Sequence, residues 1–219
     1  VTLMDLEDNT AKSVSDALLV ADGNTILVTG IIIGEFYGER VIQDPVTGET
    51  LWVDSDIFGD LGDEIVVLGE LATYTSNGNN SRQLDNATKI STESTGNAII
   101  IDPETDVAAI YAEFHLNQRY TATLTLTAID TFGYALFNTT DVDYGVDGIL
   151  PELGFKFKMS DFAPYFEDVY VVGDTIEMTF TTLYNTYENV RIINVVMPAL
   201  TDSQALMAAV ADVSVPGTT

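Results

Sequence analysis

One stretch of the chain carries aspartates at intervals of two and four residues, at Asp141, Asp143 and Asp147. Closely spaced carboxylates in a loop supply the hard oxygen ligands that Ca²⁺ takes, usually six to eight at a time. The spacing lacks the glycine and the final glutamate of an EF-hand loop. Two predictions therefore stand for this stretch, a calcium site or a solvated loop, and we expect no other cofactor.

The residue types give little support to catalysis. The chain has no cysteine and a single histidine, His115, so thiolate nucleophiles, disulfides and multi-histidine metal centres are excluded. His115 follows a helix pattern, where a surface or capping position is its ordinary role. The sequence contains no GxSxG, HExxH or glycine-rich phosphate loop. Paired carboxylates can hydrolyse glycosides, but 34 acidic residues offer so many pairs that none stands out. We expect a protein that is not an enzyme.

The charge balance is strongly acidic, since 34 acidic residues against 8 basic ones give a net charge of −26. A field of this sign repels nucleic-acid backbones and anionic membranes and attracts cations and basic partners. Eight basic residues supply few of the phosphate contacts that a single-strand binder normally makes. Two interpretations of the charge stay open, an adaptation for solubility or high salt and a specific role. No apolar run approaches the roughly 20 residues that span a bilayer, so we expect no membrane insertion.

Three short amphipathic helix patterns recur along the chain, and they position these residues within a repeat. Each has apolar residues at i, i+3, i+4 and i+7, beginning at Val14, Val107 and Leu206. Their starts are 93 and 99 residues apart. This spacing exceeds the ~20–50 residues of a solenoid repeat and matches the length of a domain. The pattern therefore predicts tandem domains.

Five strand patterns follow each of the first two helices in the same order. In the first unit they cover Thr25–Ile33, Arg40–Asp44, Glu49–Val53, Glu64–Leu71 and Leu84–Ile90, and in the second Tyr120–Ile129, Tyr134–Asn138, Phe155–Met159, Thr175–Thr182 and Val190–Met197. The pairs Gly62-Asp63 and Gly173-Asp174 should each lie at the start of the fourth strand. Five short strands with a long first strand describe an OB-fold, a five-stranded Greek-key barrel. The predicted fold class is all-β with short flanking helices, in two tandem OB-fold barrels.

Residues 13–90 also resemble a known family, the OB-fold accessory domains found beside nuclease and phosphoesterase domains in secreted or surface-anchored bacterial proteins. The matching phrases are Ser15-Asp16-Ala17-Leu18, Asp22-Gly23, Val28-Thr29-Gly30, Ile42-Gln43-Asp44, Gly48 and residues 61–69. Residues 105–197 are similar only in outline. The resemblance implies an extracellular or cell-surface location and an accessory binding role, and nucleic-acid binding is attributed to the family by fold analogy alone.

Ligands of OB-folds bind to strands two and three and to the loops joining strands one to two and four to five. Aromatic and arginine side chains in these places are the predicted ligand-binding residues. They are Phe36, Tyr37, Arg40, Trp52, Tyr74, Arg82, Phe132, Tyr184 and Tyr187. Leu51 and Val53 should face the core, which directs Trp52 outward. An outward Trp52 either forms a stacking platform or packs under the Pro45–Gly48 hairpin or the first helix.

We predict one domain over residues 1–92, a linker over 93–104, a second domain over 105–200, and a tail over 201–219 that begins a further module of a larger protein. Phosphate-free ligands meet no charge penalty, so protein or glycan is the expected partner of a non-catalytic binding or spacer module. Two alternatives remain, a cation-assisted single-stranded nucleic-acid binder beside a nuclease and an acidic nucleic-acid mimic.

Overall fold

The computed structural model describes residues 10–76, 79–138, 154–162, 165–183 and 190–214. Within these ranges the chain forms two five-stranded barrels with short helices beside them, which confirms the predicted fold class. No helix in the described ranges is both long and apolar enough to cross a membrane.

The first barrel, barrel 1, is built from the first half of the chain. Its elements are β1 Lys12–Ser13, α1 Val14–Leu18, β2 Thr25–Phe36, β3 Glu39–Gln43, β4 Thr50–Asp54, β5 Glu64–Ser76 and β6 Asn79–Ser94. The strands follow the order β2-β3-β4-β6-β5, and β5 pairs back to β2. β4 and β6 are parallel, while the other pairs in this ring are antiparallel. This is the strand order of an OB-fold.

The second barrel, barrel 2, repeats that order and is closed. Its elements are α2 Val107–Ala112, a 3₁₀ turn Phe114–Leu116, β7 Arg119–Ile129, β8 Tyr134–Phe137, β9 Phe155–Lys158, α3 Met159–Phe162, α4 Phe166–Val169, β10 Thr175–Leu183, β11 Val190–Val196 and α5 Asp202–Ser214. The ring runs β7-β8-β9-β11-β10 and returns to β7. β9 and β11 are its parallel pair, as β4 and β6 are in barrel 1. The predicted helix repeat is present as α1, α2 and α5.

The turn before strand four has the same hydrogen bonds in both barrels. The N–H of Gly62 donates to the carbonyl of Ile32, and the carbonyl of Asp63 accepts from the N–H of Ile32, both at 2.9 Å. The Gly173-Asp174 pair makes the same two bonds with Leu126 at 2.8 Å. Both glycines have the positive φ that this turn requires, 86° and 102°. Both pairs directly precede strand four, which confirms the prediction.

Alternation along the strands fills the two cores, because side chains of successive residues point to opposite faces. Barrel 1 encloses an aliphatic core that includes Val28, Ile42, Leu51 and Ile65. The core of barrel 2 is aromatic, and there the rings of Phe137 and Phe157 are stacked with centroids 5.6 Å apart. The clean alternation of residues 120–126 places Leu124 and Leu126 in this core.

A third apolar cluster, which we call the junction cluster, joins the two barrels. Ile33 and Val41 of barrel 1 pack against Leu183 and Ile193 of barrel 2, and all four are at least 98% buried. A register shift between Ile32 and Gly34 interrupts the β2–β3 pairing at Ile33. The carbonyl oxygen of Ile33 instead accepts a hydrogen bond from the Thr181 hydroxyl of barrel 2 at 2.7 Å. The barrels therefore meet through a packed and hydrogen-bonded face.

The segment between the barrels is fastened to barrel 1 by Gln43. This side chain is almost fully buried and makes two bonds to Ile100, accepting from its N–H at 2.9 Å and donating to its carbonyl at 3.0 Å. Farther along, Asp102 forms an isolated bridge with Tyr120 of β7. β6 ends at Ser94 and α2 begins at Val107. The exact limits of the two domains, the linker and the tail stay predictions.

Candidate ligand-binding cleft

A cleft of about 400 Å³ lies where the β2–β3 hairpin of barrel 1 meets β9 and β11 of barrel 2. We call it the interbarrel cleft. Its volume is within the range of small-ligand pockets. Its lining residues are Glu35, Phe36, Tyr37, Lys158, Arg191, Ile192, Ile193 and Asn194.

Cationic side chains gather around one tyrosine ring beside the interbarrel cleft. The charged groups of Lys158, Arg191 and Lys156 lie 4.8, 5.5 and 5.6 Å from the ring centroid of Tyr134. The guanidinium of Arg191 also lies 4.7 Å from the ring centroid of Phe36, across the junction between the barrels. These distances are those of cation–π contacts. The cleft is thus a place where aromatic rings hold positive charge.

Strand register explains how three distant residues meet there. Lys158 is paired with Tyr134 across β8 and β9, and Lys156 is paired with Arg191 across β9 and β11. Residues two apart in a strand share a face, so Lys156 and Lys158 stand together on the outside of barrel 2. Phe155 and Phe157 alternate with them and fill the core. The Phe-Lys-Phe-Lys sequence of β9 therefore builds the core and the cationic face at once.

The positive charge of this cleft stands against the charge of the whole chain. Two of the eight basic residues, Lys158 and Arg191, line it, although the net charge is −26. Like charges held together in a concave site raise the local potential and attract ligands of opposite sign. The cleft can therefore bind an anionic group.

Other contacts hold the cleft in shape. The Asn194 side chain accepts a hydrogen bond from the backbone N–H of Glu35 at 2.6 Å, which ties β11 to β2. The Glu35 carboxylate lies 3.4 Å from the guanidinium of Arg40, a residue that is 95% buried. Arg191 donates to the Tyr134 hydroxyl at 3.3 Å. These bonds connect both walls of the cleft to the barrel frames.

Three of the predicted ligand-binding residues lie at or beside the interbarrel cleft. Phe36 and Tyr37 line it, and Tyr37 is 78% exposed. Phe132 is 64% exposed, and its backbone carbonyl accepts a hydrogen bond from Lys158. Arg40 points into barrel 1 instead, where it donates to the carbonyl of Gly59 at 3.3 Å.

Trp52, Tyr74 and Arg82 lie elsewhere. Trp52 is half-buried and points outward from barrel 1. Barrel 2 covers this face, so Trp52 packs against the junction cluster and the barrel 2 core. Tyr74 also packs against the barrel 2 core. Arg82 pairs with Asp22 and donates to the carbonyl of Val20 at 2.6 Å. The structure does not bring these three to the interbarrel cleft.

The remaining predicted residues lie outside the described ranges. Tyr184 and Tyr187 fall there, as do the calcium candidates Asp141, Asp143 and Asp147. Their roles stay predictions. Among the residues that the structure describes, no three histidine, aspartate or glutamate side chains gather in a way that could hold a metal ion.

Among the described carboxylates, Glu39 is the one whose pKa is changed most clearly by its surroundings. It is half-buried at the start of β3, and Asp54 ends the neighbouring strand β4. Partial burial, followed by the negative charge of Asp54 and a hydrogen bond to it, raises the pKa of Glu39 to about 7. This carboxyl group therefore exchanges its proton near neutral pH.

Sequence reasoning missed Lys156, Lys158, Arg191 and Tyr134. One signal was available. In β9 the two lysines alternate with two phenylalanines, which puts both on the outer face of strand three, part of the surface that OB-folds use for ligands. No sequence signal placed Phe36 of barrel 1 on the same site.

No protein-family model matches the chain, and no curated protein matches it. Among solved structures, it is similar to a murine DNA-binding protein bound to double-stranded DNA, with 8% identity, a TM-score of 0.33, and coverage of 80% of this chain and 100% of that one.

A second similar structure is a multidomain protein with nucleic-acid-binding domains from Streptococcus pneumoniae TIGR4. It is 16% identical, with a TM-score of 0.19 and coverage of 83% of this chain, which spans 48% of the length of that protein. Both TM-scores are low, so the fold assignment rests on the strand order of the two barrels.

Proposed function

We propose that this chain is a non-catalytic binding module of a larger secreted or cell-surface bacterial protein, and that its ligand, a glycan or a protein segment, binds in the interbarrel cleft. One observation carries the proposal. The cleft combines exposed aromatic surface at Tyr37 with fixed cations at Lys158 and Arg191. Aromatic rings with a few placed polar groups are the usual lining of small-ligand sites.

The residue types around the cleft support binding more than catalysis. The described residues that line it include no serine, cysteine or histidine that could act as a nucleophile or as a general base. His115 belongs to the 3₁₀ turn before β7, and the next carbonyl, that of Leu116, accepts a hydrogen bond from Thr50 of barrel 1. It thus sits in a segment used for packing the barrels together.

A spacer role is part of the proposal and rests on the junction between the barrels. The four-residue apolar cluster and the bond from Thr181 to Ile33 hold the two barrels in one orientation. Flanking segments would then be kept at a fixed separation, unlike segments joined by a flexible linker.

Single-stranded nucleic acid is the second candidate ligand, because three cations around one aromatic ring are a feature of strand-binding grooves. A strand carries one phosphate per nucleotide, however, and most of those would lie outside the cleft against a net charge of −26. A ligand with few charges avoids this repulsion.

The test is a binding panel of neutral and acidic oligosaccharides, peptides and oligothymidylate, followed by calorimetry or by fluorescence of the single tryptophan. Trp52 does not line the cleft but packs on the same junction cluster as Phe36, so its fluorescence is a second readout beside the calorimetric affinity. Tyr37→Ala should weaken binding of the true ligand at least about fivefold. Leu19→Ala, which alters an 86% exposed side chain outside the cleft lining, is the control and should have no effect. Binding that Tyr37→Ala leaves unchanged would contradict the proposed site.

A further inference from the structure

Arg191 is held in a fixed orientation at the interbarrel cleft. Its guanidinium lies 4.7 Å from the ring centroid of Phe36 and 5.5 Å from that of Tyr134, and it donates to the Tyr134 hydroxyl at 3.3 Å. A guanidinium has five N–H donors in a rigid plane, which suits two-point binding of a carboxylate. The rings fix this plane, so less entropy is lost when a ligand binds.

The donors of Arg191 are incompletely used within the described part of the chain. Its Nε atom is buried and has no hydrogen-bond partner among the described residues. A buried donor without a partner is destabilising.

Arg191 and Lys158 also have no ion-pair partner among the described residues. The ion pairs found there join Arg40 to Glu35 and Arg82 to Asp22. The Glu35 carboxylate, which lines the cleft, is thus already engaged by Arg40. Within the described ranges, Lys158 and Arg191 therefore face the cleft without a carboxylate partner, and one anionic group of a ligand can pair with both.

The other walls favour a sugar as the carrier of that anion. Tyr37 is an exposed aromatic surface on which the C–H face of a sugar ring can stack. Glu35 and Asn194 place polar groups beside it that can bond to hydroxyls. The volume of about 400 Å³ suits a short saccharide segment.

We propose that the interbarrel cleft binds an acidic oligosaccharide, with the carboxylate of a uronic acid residue on Arg191 and Lys158 and a sugar ring against Tyr37. This inference rests on the proposed function, because it names the ligand class of the same cleft. A uronic acid residue carries a single charge, which the two cations can match.

The test compares trigalacturonate with its methyl ester, since the two differ in the carboxylate charge and not in the sugar rings. Calorimetry should show the acid binding at least about tenfold more tightly than the ester. Lys158→Gln should reduce affinity for trigalacturonate about tenfold, and Arg191→Lys should do so as well, because lysine keeps the charge but lacks the planar donors.

Lys89→Gln is the matched control. Lys89 donates to the carbonyl of the exposed Phe58, just as Lys158 donates to that of the exposed Phe132. Both substitutions remove one charge and one such bond, but Lys89 does not line the cleft. Lys89→Gln should change affinity less than about twofold. Near-UV circular dichroism of each variant verifies that the barrels stay folded.

The outcomes separate this inference from the proposed function. Equal affinity for acid and ester, with sensitivity to Tyr37→Ala, would overturn the carboxylate assignment and leave cleft binding in place. Binding of oligothymidylate but not of trigalacturonate would overturn it in favour of nucleic acid. If no ligand of the wider panel binds in a way that Tyr37→Ala weakens, both proposals fail.

Discussion

Removing the Thr181 hydroxyl tests whether the two barrels unfold as one unit. This hydroxyl is fully buried, donates to the Ile33 carbonyl of barrel 1 at 2.7 Å and accepts from the buried Arg119 of barrel 2 at 2.9 Å. Thr181→Val keeps the shape of the side chain and deletes both bonds. The Ile33 carbonyl lies at the interrupted register of β2, so the substitution leaves it without this partner.

The expected cost follows from the two lost bonds. A buried acceptor without a donor costs about 1–3 kcal/mol, and hydrogen bonds to charged groups contribute about 1.5–3 kcal/mol. Arg119 keeps contacts to the Asn194 carbonyl at 3.3 Å, so the loss on its side is partial. We expect Thr181→Val to lower the free energy of unfolding by about 3 kcal/mol.

Thr182→Val is the matched control on the same strand. Thr182 is equally buried, but its hydroxyl makes a long bond of 3.3 Å to the Gln118 carbonyl, which also accepts the Thr182 N–H at 2.9 Å. Its loss should cost under about 1 kcal/mol and should not cross the junction.

Urea unfolding followed by Trp52 fluorescence and by far-UV circular dichroism makes the measurement. Trp52 belongs to barrel 1, whereas the substitution lies in barrel 2. If the barrels unfold together, the Trp52 transition of Thr181→Val therefore has its midpoint at a lower urea concentration than that of the wild type. A Trp52 transition at the wild-type midpoint, or equal effects of the two substitutions, would refute coupling through this bond.

Three further substitutions test other parts of the structure. Because the pKa of Glu39 is raised to about 7, the folded state binds a proton more tightly than the unfolded state. Stability should therefore fall as pH rises from about 4.5 to 7, by about 1 kcal/mol after solvent screening, and Glu39→Gln should remove this dependence in urea titrations at each pH. Gln43→Leu should cost about 2 kcal/mol and speed cleavage by thermolysin near Ile100, because it deletes both bonds that fasten that segment. A Cβ at Gly34 would lie 3.0 Å from a side-chain methyl of barrel 2, so Gly34→Val should destabilise the junction by about 2 kcal/mol in the same urea assay.

Local patterns were sufficient for the barrels because each barrel depends on short-range signals. Alternation over residues 120–126 identifies both a strand and its buried face, and Leu124 and Leu126 are fully buried as expected. The Gly-Asp pairs mark a turn whose backbone needs a positive φ at the glycine. Such signals involve neighbouring residues, and a single sequence contains them.

The hairpin between β5 and β6 shows where local signals fail. The glycine and asparagine content of residues 74–81 indicates a loop, yet β5 extends to Ser76 and β6 begins at Asn79. Thr73 pairs with Arg82 and Thr75 with Asn80, so cross-strand pairing overrides the low strand propensity of these residues.

Trp52 shows a second limit. Alternation correctly assigned Leu51 and Val53 to the core and Trp52 to the outside of barrel 1. The outside of this strand is covered by barrel 2, so Trp52 packs at the junction. A period of two distinguishes the two faces of a strand, but it does not distinguish solvent from a neighbouring domain.

The same limit hid the interbarrel cleft, and it bears on how an acidic chain can recognise an anion. Net charge describes the far field, whereas within roughly one Debye length, about 8 Å at physiological salt, fixed local charges dominate. Lys158 and Arg191 lie 4.8 and 5.5 Å from one ring centroid, so a ligand anion in the cleft meets both at short range. A polyanion would extend beyond this range into the field of −26. An acidic surface around a small cationic cleft therefore selects against long polyanions and for ligands with isolated charges, and this selection should weaken as added salt screens the outer field.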